Sequence, residues 1–437
     1  METSTDYASP YRPLPVACLN RAGRLARRLG RDDALDADQM IAAARRKTGL
    51  SDFGDEWFRE PLGVLVESIN AEARLTPVGA RIQRSRMVAA LSTRLRVERL
   101  LREHPEIRDI DLGPIILIAG LQRTATTALH RLIAADPGIR ALRSWEALNP
   151  VPLRADGAGG RAGRWPLGRR DRSRRTWQGK LAARALRFLA PDFQTIHPIA
   201  YDAPEEDVLL LDVSFMSQSP EAAMHVPSYA AWLEGRDHTR SYEDLLTLLR
   251  ILHWQRPGAA WVLKTPHHME HLDVILEIMP DVRIVQTHRD PKVSIPSFCS
   301  MVAHARGILS DHVDPEEIGR HWMRKTRRMM ERSMQVRRDA RDAVFVDVSY
   351  YDLLADPLGE VRRVYDAAGI EFSEEAAAAA RAVSRRDVKD RHGRHVYAPA
   401  SFGLDDATID AACDAYRRHY RIPDEAAGLA AGPRSRG

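Results

Sequence analysis

The sequence contains the segment Pro114-Ile-Ile-Leu-Ile-Ala-Gly-Leu-Gln-Arg-Thr-Ala-Thr-Thr127, in which an apolar run passes into a polar loop. The run at residues 115–119 predicts a strand that is buried on both faces, as in a parallel sheet. Gly120 ends this strand, and apolar residues spaced three and four apart follow Thr127, which predicts a helix. The segment therefore predicts a strand, a loop and a helix, the unit from which α/β folds are built.

Three further apolar runs predict strands of the same sheet, at residues 261–263, 282–285 and 344–348. Helical patterns separate these runs, so we expect a central parallel sheet with helices on both faces. Residues 34–106 repeat apolar positions at helical spacing. They predict a helical N-terminal region at residues 1–110, ahead of an α/β domain at residues 111–425.

The charge of the chain is unevenly distributed. The net charge is +5, yet residues 154–187 hold ten Arg, one Lys and two Asp, so the remainder is mildly acidic. This composition predicts a mobile basic insertion that suits contact with an anionic surface. Residues 201–255 are acidic and aromatic and predict a helical cap with an acceptor pocket. Residues 426–437 predict a disordered tail.

Cysteine and hydropathy patterns exclude several classes of protein. The three cysteines are odd in number and far apart, which argues against a disulfide framework or a cysteine metal site. No run of about 18 apolar residues predicts a membrane span, and the first 30 residues have no signal core. We therefore expect a cytoplasmic protein.

The loop from Gly120 to Thr127 lies where backbone N–H groups and a helix N-terminus form an anion site. Against the nucleotide-binding pattern G-x-x-x-x-G-K-[ST], it keeps Gly120 and Thr127 but has Ala125 and Thr126 in place of Gly and Lys. Arg123 supplies a cation from a different position, suited to one terminal phosphate. The alternative is a polar turn with an exposed arginine.

Charged residues also follow two other predicted strands. Lys264 and His267 follow one, and Arg289, with Ser297 eight residues later, follows the next. Ligands bind at the carboxyl ends of strands in open α/β sheets, so a guanidinium and a hydroxyl here suit a second phosphate. The alternative is a solvated helix start capped by Asp290.

Together these blocks resemble the PAPS-dependent sulfotransferase family, in its bacterial branch, over residues 114–402. The resemblance implies a P-loop-like three-layer α/β fold and the donor 3'-phosphoadenosine 5'-phosphosulfate (PAPS). The family's first loop, usually P-R-[ST]-G-T-T, binds the 5'-phosphosulfate, which implies that role for Arg123, Thr124, Ala125, Thr126 and Thr127.

The other blocks carry further implied roles. The R-D-P-x5-S block implies a 3'-phosphate site at Arg289 and Ser297, and the segment at residues 264–267 resembles the family's L-K-[ST]-P-x-H. Arg391 and Gly393 lie in a segment that resembles the late loop closing over the cofactor. Gln122 and Ala125 depart from the family's Pro and Gly, and Ala125 fits such a loop without strain only if its φ is negative.

Sulfuryl transfer to a hydroxyl needs a base, an in-line arrangement and neutralisation of developing charge. Glu146 is the first candidate base, because a Glu in this region serves as base in related families, and His267 is the second. Lys264 and Arg123 are the candidates to neutralise the leaving phosphate, and no metal is required. The alternatives are an exposed helix cap for Glu146 and a core histidine for His267.

The acceptor is expected to be a small or lipid-like alcohol, and no nucleic acid is expected as a partner; the oligomeric state stays open. This expectation rests on apolar residues of the cap, which at helical spacing also suit a protein core, namely Phe215, Met216, Met224, Tyr229, Trp232 and Trp254. Two rival functions remain. One is a nucleotide kinase or P-loop NTPase, and the other is a non-enzymatic binder of anionic surfaces acting through residues 154–187.

His267-His268-Met269-Glu270-His271 also fits H-x-x-E-H, an inverted zinc-protease motif that places two histidines four residues apart. A zinc site of this kind would explain none of the phosphate-binding features, so the sulfotransferase hypothesis is preferred.

Overall fold

The structure is a computed structural model that describes residues 7, 9–30, 33–153, 169–191, 200–340, 344–386 and 398–425. Within these residues, five parallel strands form the central sheet: β1 (Ile115–Ile118), β2 (Ile139–Ala141), β3 (Ala260–Lys264), β4 (Val282–His288) and β5 (Phe345–Ser349). Their order across the sheet is β2-β3-β1-β4-β5. Each adjacent pair is parallel, so all carboxyl ends lie at one edge.

Strand β1 shows why the sheet is covered on both sides. Its four residues are all buried, and they alternate between two hydrophobic cores. Ile115 and Leu117 pack into one core, and Ile116 and Ile118 into the other. The prediction of a parallel sheet with helices on both faces is confirmed.

The helices of the described residues precede, separate and follow these strands. Before β1 are α1 (Leu14–Arg28), α2 (Ala37–Thr48), α3 (Arg59–Glu72) and α4 (Pro77–Glu103). Between β1 and β3 are α5 (Thr126–Ile133), α6 (Ser144–Leu148), α7 (Arg169–Leu189), α8 (Val208–Leu211), α9 (Ser219–Ala223), α10 (Pro227–Glu234) and α11 (Thr239–Gln255). After β3 are α12 (Leu272–Ile278), α13 (Pro291–Leu309), α14 (Pro315–Asp339), α15 (Tyr350–Ala355), α16 (Pro357–Ala368), α17 (Glu374–Arg386) and α18 (Asp406–His419).

The cap packs largely against the N-terminal helices. Phe215, Met216, Met224 and Tyr229 are at most 3% exposed and share one core with apolar residues of α2, α3 and α4. Trp232 and Trp254 are half-buried against the cores. Phe215 and Met224 also line a cavity, together with residues of α3 and α4. The expectation that apolar side chains of the cap form an acceptor pocket stays a prediction.

The basic insertion also differs from its expected form. Residues 169–187 lie in helix α7, where the buried Arg175 donates to Asn149 O (2.8 Å) and Gln255 Oε1 (2.7 Å). The same guanidinium lies 5.0 Å from the centre of the Trp145 ring. The helix is therefore docked by contacts with distant parts of the chain, which composition does not show. Residues 154–168 and the predicted tail at 426–437 lie outside the described residues.

No helix in the described part of the chain is both long enough and apolar enough to cross a membrane.

Candidate active site

Three neighbouring strands bring their carboxyl ends to one cleft. Strand β1 lies between β3 and β4, and Ile118 is paired in register with Lys264 on one side and Val285 on the other. The loops after β1, β3 and β4 therefore meet, at the type of position where open α/β sheets bind ligands. The cleft encloses about 700 Å³, part of it open to solvent, and is lined by Gln122, Arg123, Ala125, Thr126, Thr127, Glu206, Pro266, Arg289, Met301 and Tyr350.

The loop after β1 is anchored against β4. A Cβ on Gly120 would lie 2.0 Å from Thr287 Oγ1, so the close approach of β4 requires glycine here. Thr124 is fully buried; its hydroxyl donates to Leu121 O (2.6 Å) and accepts from Thr287 Oγ1 at 2.5 Å. Thr124 thus fixes the loop from beneath, and it does not line the cleft.

The loop has left-handed backbone at Arg123 (φ 66°) and at Ala125 (φ 68°). Turns of this kind aim successive N–H groups to one side and form anion-binding concavities. Ala125 is also the N-cap of α5 and makes no side-chain cap, while Thr126 and Thr127 in the first turn line the cleft. The loop and the helix N-terminus together suit a phosphate or sulfate group. Ala125 therefore does not have the negative φ that would let an alanine fit this loop without strain.

The strain at Ala125 predicts that Ala125→Gly stabilises the protein. An L-residue other than glycine pays roughly 1 kcal/mol or more in left-handed backbone, so we expect the free energy of unfolding to rise by about 1 kcal/mol. Urea denaturation of the two proteins, followed by tryptophan fluorescence, measures the difference.

Ala134→Gly is the matched control, because Ala134 ends the same helix with φ −68°. Glycine there relieves no strain and adds freedom to the unfolded chain, so stability should fall by about 0.5 to 1 kcal/mol. Equal losses in both variants would show that the conformation of Ala125 carries no strain.

The two arginines predicted to bind phosphates lie together. Arg123 Nε donates to Ser297 Oγ (3.1 Å), and Arg289 Nη1 donates to the Arg123 carbonyl oxygen (3.0 Å). The guanidinium of Arg289 also lies 4.0 Å from the centre of the Tyr350 ring. The loops after β1 and β4 therefore form one cationic wall, and Ser297 supports Arg123.

A carboxylate from the C-terminal segment forms an ion pair with the guanidinium of Arg289. Glu425 accepts two hydrogen bonds from this guanidinium, at 2.8 Å from Nε and 2.7 Å from Nη2. The Glu425 N–H donates to Asp290 (2.9 Å), and the neighbouring Asp424 pairs with Lys292. A guanidinium fork binds a carboxylate and a phosphate in the same bidentate manner, so Glu425 holds the position that a phosphate would take.

Lys264 joins the phosphate-binding loop to an acidic side chain of the cap. Its ammonium group is buried, pairs with Glu206, and lies 3.4 Å from Thr127 Oγ1. Glu206 is 24% exposed and lines the cleft. Sequence reasoning missed Glu206, although the acidic run at residues 205–207 lay within the predicted cap.

Asp207 fixes the position of Glu206. This buried carboxylate accepts from the Lys264 backbone N–H (2.8 Å), and His268 Nε2 lies 2.7 Å from its other oxygen. Burial opposes ionisation, but the contact with His268 holds the pKa of Asp207 below its ordinary value. Nδ1 of His268 in turn forms a hydrogen bond with the Tyr242 hydroxyl, at 2.9 Å. A chain of buried polar groups thus joins the cap to the end of β3.

The two bases favoured by the sequence lie away from the cleft. Glu146 is buried and forms a bidentate ion pair with Arg140, at 2.9 and 3.0 Å. Its carboxylate also accepts a hydrogen bond from the backbone N–H of Arg143, the N-cap residue of α6. His267 is 1% exposed and packs among other aromatic rings. Neither side chain lines the cleft. Arg391 and Gly393 lie outside the described residues.

Comparison with known proteins gives the family. The model of the sulfotransferase family matches residues 114–374, more than half of the chain. No curated protein matches the sequence. The solved structure of sulfotransferase STF1 from Mycobacterium tuberculosis H37Rv is 33% identical, with a TM-score of 0.71 over 87% of this chain and 99% of that one. Sulfotransferase STF9 from Mycobacterium avium is 25% identical, with a TM-score of 0.78 over 89% of this chain and 97% of that one. On these matches, and with the sheet and cleft described above, the chain belongs to the sulfotransferase family.

Proposed function

We propose that the protein transfers a sulfuryl group from PAPS to a hydroxyl of a small or lipid-like acceptor. The observation that carries this proposal is the convergence of two arginine-bearing loops on one cleft. Arg123 and Arg289 lie at the ends of adjacent strands and are joined through the Arg123 carbonyl. Two anion sites in one cleft suit a donor that carries phosphates at both its 5' and 3' positions.

The donor phosphosulfate is assigned to the loop after β1. The backbone of residues 123–127 and the N-terminus of α5 would bind the 5'-phosphosulfate, and Arg289 would bind the 3'-phosphate. Ser297 orients Arg123 between the two sites through its 3.1 Å hydrogen bond.

Glu206 is proposed as the general base. It is the carboxylate that lines the cleft, and it lies beside Lys264, which contacts Thr127 of the phosphate-binding loop. In the reaction, the acceptor oxygen forms a bond to sulfur while the bond from sulfur to the 5'-phosphate oxygen breaks, and the acceptor proton passes to Glu206.

Lys264 is proposed to balance charge during transfer. As Glu206 takes the proton, its attraction for the ammonium weakens while negative charge grows on the leaving phosphate oxygen. The Lys264 ammonium contacts both Glu206 and Thr127 of the loop proposed to bind the phosphosulfate, so it would stabilise the charge that develops. This division of roles requires no metal ion at the transferring group.

Glu206 and Met301 both line the cleft, so its wall includes a carboxylate and apolar surface. An alcohol with an apolar body fits such a wall. A reducing compartment such as the cytoplasm suits the three free cysteines, of which Cys299 and Cys413 are buried.

Calorimetric titration with 3'-phosphoadenosine 5'-phosphate tests the proposal. We expect one equivalent of this bisphosphate to bind without added metal, because arginine and backbone groups provide the anion sites. Mg-ATP should bind much more weakly, since Thr126 stands where a P-loop NTPase has its lysine. Tighter binding of Mg-ATP than of the bisphosphate would favour the kinase or NTPase hypothesis instead.

A further inference from the structure

Three histidines cluster behind the wall of the cleft. His238 precedes α11, His267 lies in the short 3-10 turn Pro266–Glu270, and His271 precedes α12. One ring nitrogen from each lies within 4.8 Å of those of the other two. The ring centres of His238 and His271 are 3.7 Å apart, and those of His267 and His271 are 4.7 Å apart. The cluster joins the cap to the segment that follows Lys264 at the end of β3.

Two of these histidines have buried ring nitrogens without hydrogen-bond partners. Within the described part of the chain, both ring nitrogens of His267 and Nδ1 of His238 are buried without a partner. His238 and His267 are each 1% exposed. Buried polar atoms in folded proteins are normally paired, so unpaired nitrogens on two neighbouring histidines indicate a missing ligand.

The tautomer of His238 follows from its other contact. Its Nε2 lies 3.1 Å from the Leu233 carbonyl oxygen. A carbonyl can only accept, so Nε2 carries the proton and Nδ1 presents a lone pair to the cluster. A backbone carbonyl on the far nitrogen is the arrangement that orients histidine ligands in metal sites.

We propose that His238, His267 and His271 bind a transition-metal ion, with Zn²⁺ as the expected occupant. Three imidazole ligands suit zinc, and also cobalt and nickel, and they leave a fourth position for water.

The surroundings favour a structural role over a hydrolytic one. Glu270, the glutamate of the H-x-x-E-H pattern, is held by Lys325 and Arg328, both at 2.7 Å. It is therefore engaged away from the histidines and does not serve as the base of a peptidase. Lys325, the nearest cation, also contacts Glu221 and Glu234, so its charge is balanced.

The expected effect is on the stability of the cleft wall. Pro266 lines the cleft and directly precedes His267, while His238 directly precedes α11, the last helix of the cap. A metal bound by all three histidines would tie these segments together. At saturation it should raise the thermal midpoint of unfolding by at least about 3 °C, because it binds only the folded chain.

Titration of the full-length protein with ZnCl₂ and CoCl₂, after treatment with a chelator and dialysis, tests the proposal. We expect one equivalent of Zn²⁺ to bind, and Co²⁺ to develop visible absorption bands of a low-symmetry nitrogen site. His238→Asn and His271→Asn should each weaken Zn²⁺ binding at least about tenfold. His312→Asn is the matched control, because His312 is exposed and lies outside the cluster.

Circular dichroism of each variant checks that it is folded. If the parent protein binds no zinc equivalent and develops no cobalt bands, the proposal is wrong, and this result needs no variant. The proposal is also wrong if folded His238→Asn and His271→Asn proteins bind zinc as tightly as the parent. Because none of these readouts uses PAPS or an acceptor, they leave the proposed transferase function untouched.

Discussion

The Glu206→Gln variant should turn over substrate about 10²- to 10⁴-fold more slowly than the parent protein, the usual contribution of a general base. Glutamine keeps the size and one acceptor oxygen, so Lys264 retains a partner while the proton acceptor is lost. Affinity for 3'-phosphoadenosine 5'-phosphate should change little, because the phosphates are assigned to the loop after β1 and to Arg289, and Glu206 is assigned to the acceptor. Turnover is measured as release of this bisphosphate from PAPS, with the alcohol or phenol from a panel that gives the parent its highest rate.

Glu146→Gln is the matched comparison, because the sequence favours Glu146 as the base. Its carboxylate is paired with the buried Arg140. Removing that charge should lower the thermal midpoint and leave turnover per folded molecule near that of the parent. If Glu146→Gln instead abolishes turnover in folded protein while Glu206→Gln does not, the base is Glu146.

The Arg289→Ala variant should bind 3'-phosphoadenosine 5'-phosphate about 10- to 100-fold more weakly, since hydrogen bonds to charged groups contribute about 1.5–3 kcal/mol. Its affinity for adenosine 5'-phosphate, which has no 3'-phosphate, should fall much less. Calorimetry with both ligands separates loss of one phosphate contact from general damage to the cleft. An equal loss of affinity for the two ligands would mean that Arg289 does not bind the 3'-phosphate.

Glu425→Gln is the opposing control. It removes a carboxylate that occupies Arg289 through two hydrogen bonds. Affinity for the bisphosphate should therefore rise about fivefold, the effect of relieving roughly 1 kcal/mol of competition at a partly buried pair. Unchanged affinity would show that the phosphate binds without displacing Glu425.

The central sheet could be predicted because its signals are local. Strands β1, β3, β4 and β5 overlap the apolar runs that predicted them. Strand β2 (Ile139–Ala141) was missed, because three residues with Arg140 at their centre carry no strand pattern. The buried Arg140 pairs with Glu146 and donates to the Arg256 carbonyl oxygen, contacts that the sequence does not show.

The site was predicted in part for the same reason. Arg123 lies in the loop after β1 and Arg289 directly follows β4, and the parallel arrangement of the strands brings them together. Glu206 and His238 belong to the cap, whereas their neighbours Lys264 and His267 lie at and just after the end of β3. Packing of the cap on the sheet creates these contacts, and no spacing within the sequence encodes them. The predictions for Arg391 and Gly393 stay predictions.

The pair between Arg289 and Glu425 bears on how the catalytic cycle ends. If the bisphosphate product left a bare guanidinium behind, its departure would be opposed by the full loss of an ion pair. A carboxylate tethered by Asp290 can return to Arg289 as the product leaves. If Arg289 binds the 3'-phosphate as proposed, release becomes an exchange of one anion for another. The C-terminal segment would then lower donor affinity and speed the escape of the product, the step that limits many enzymes.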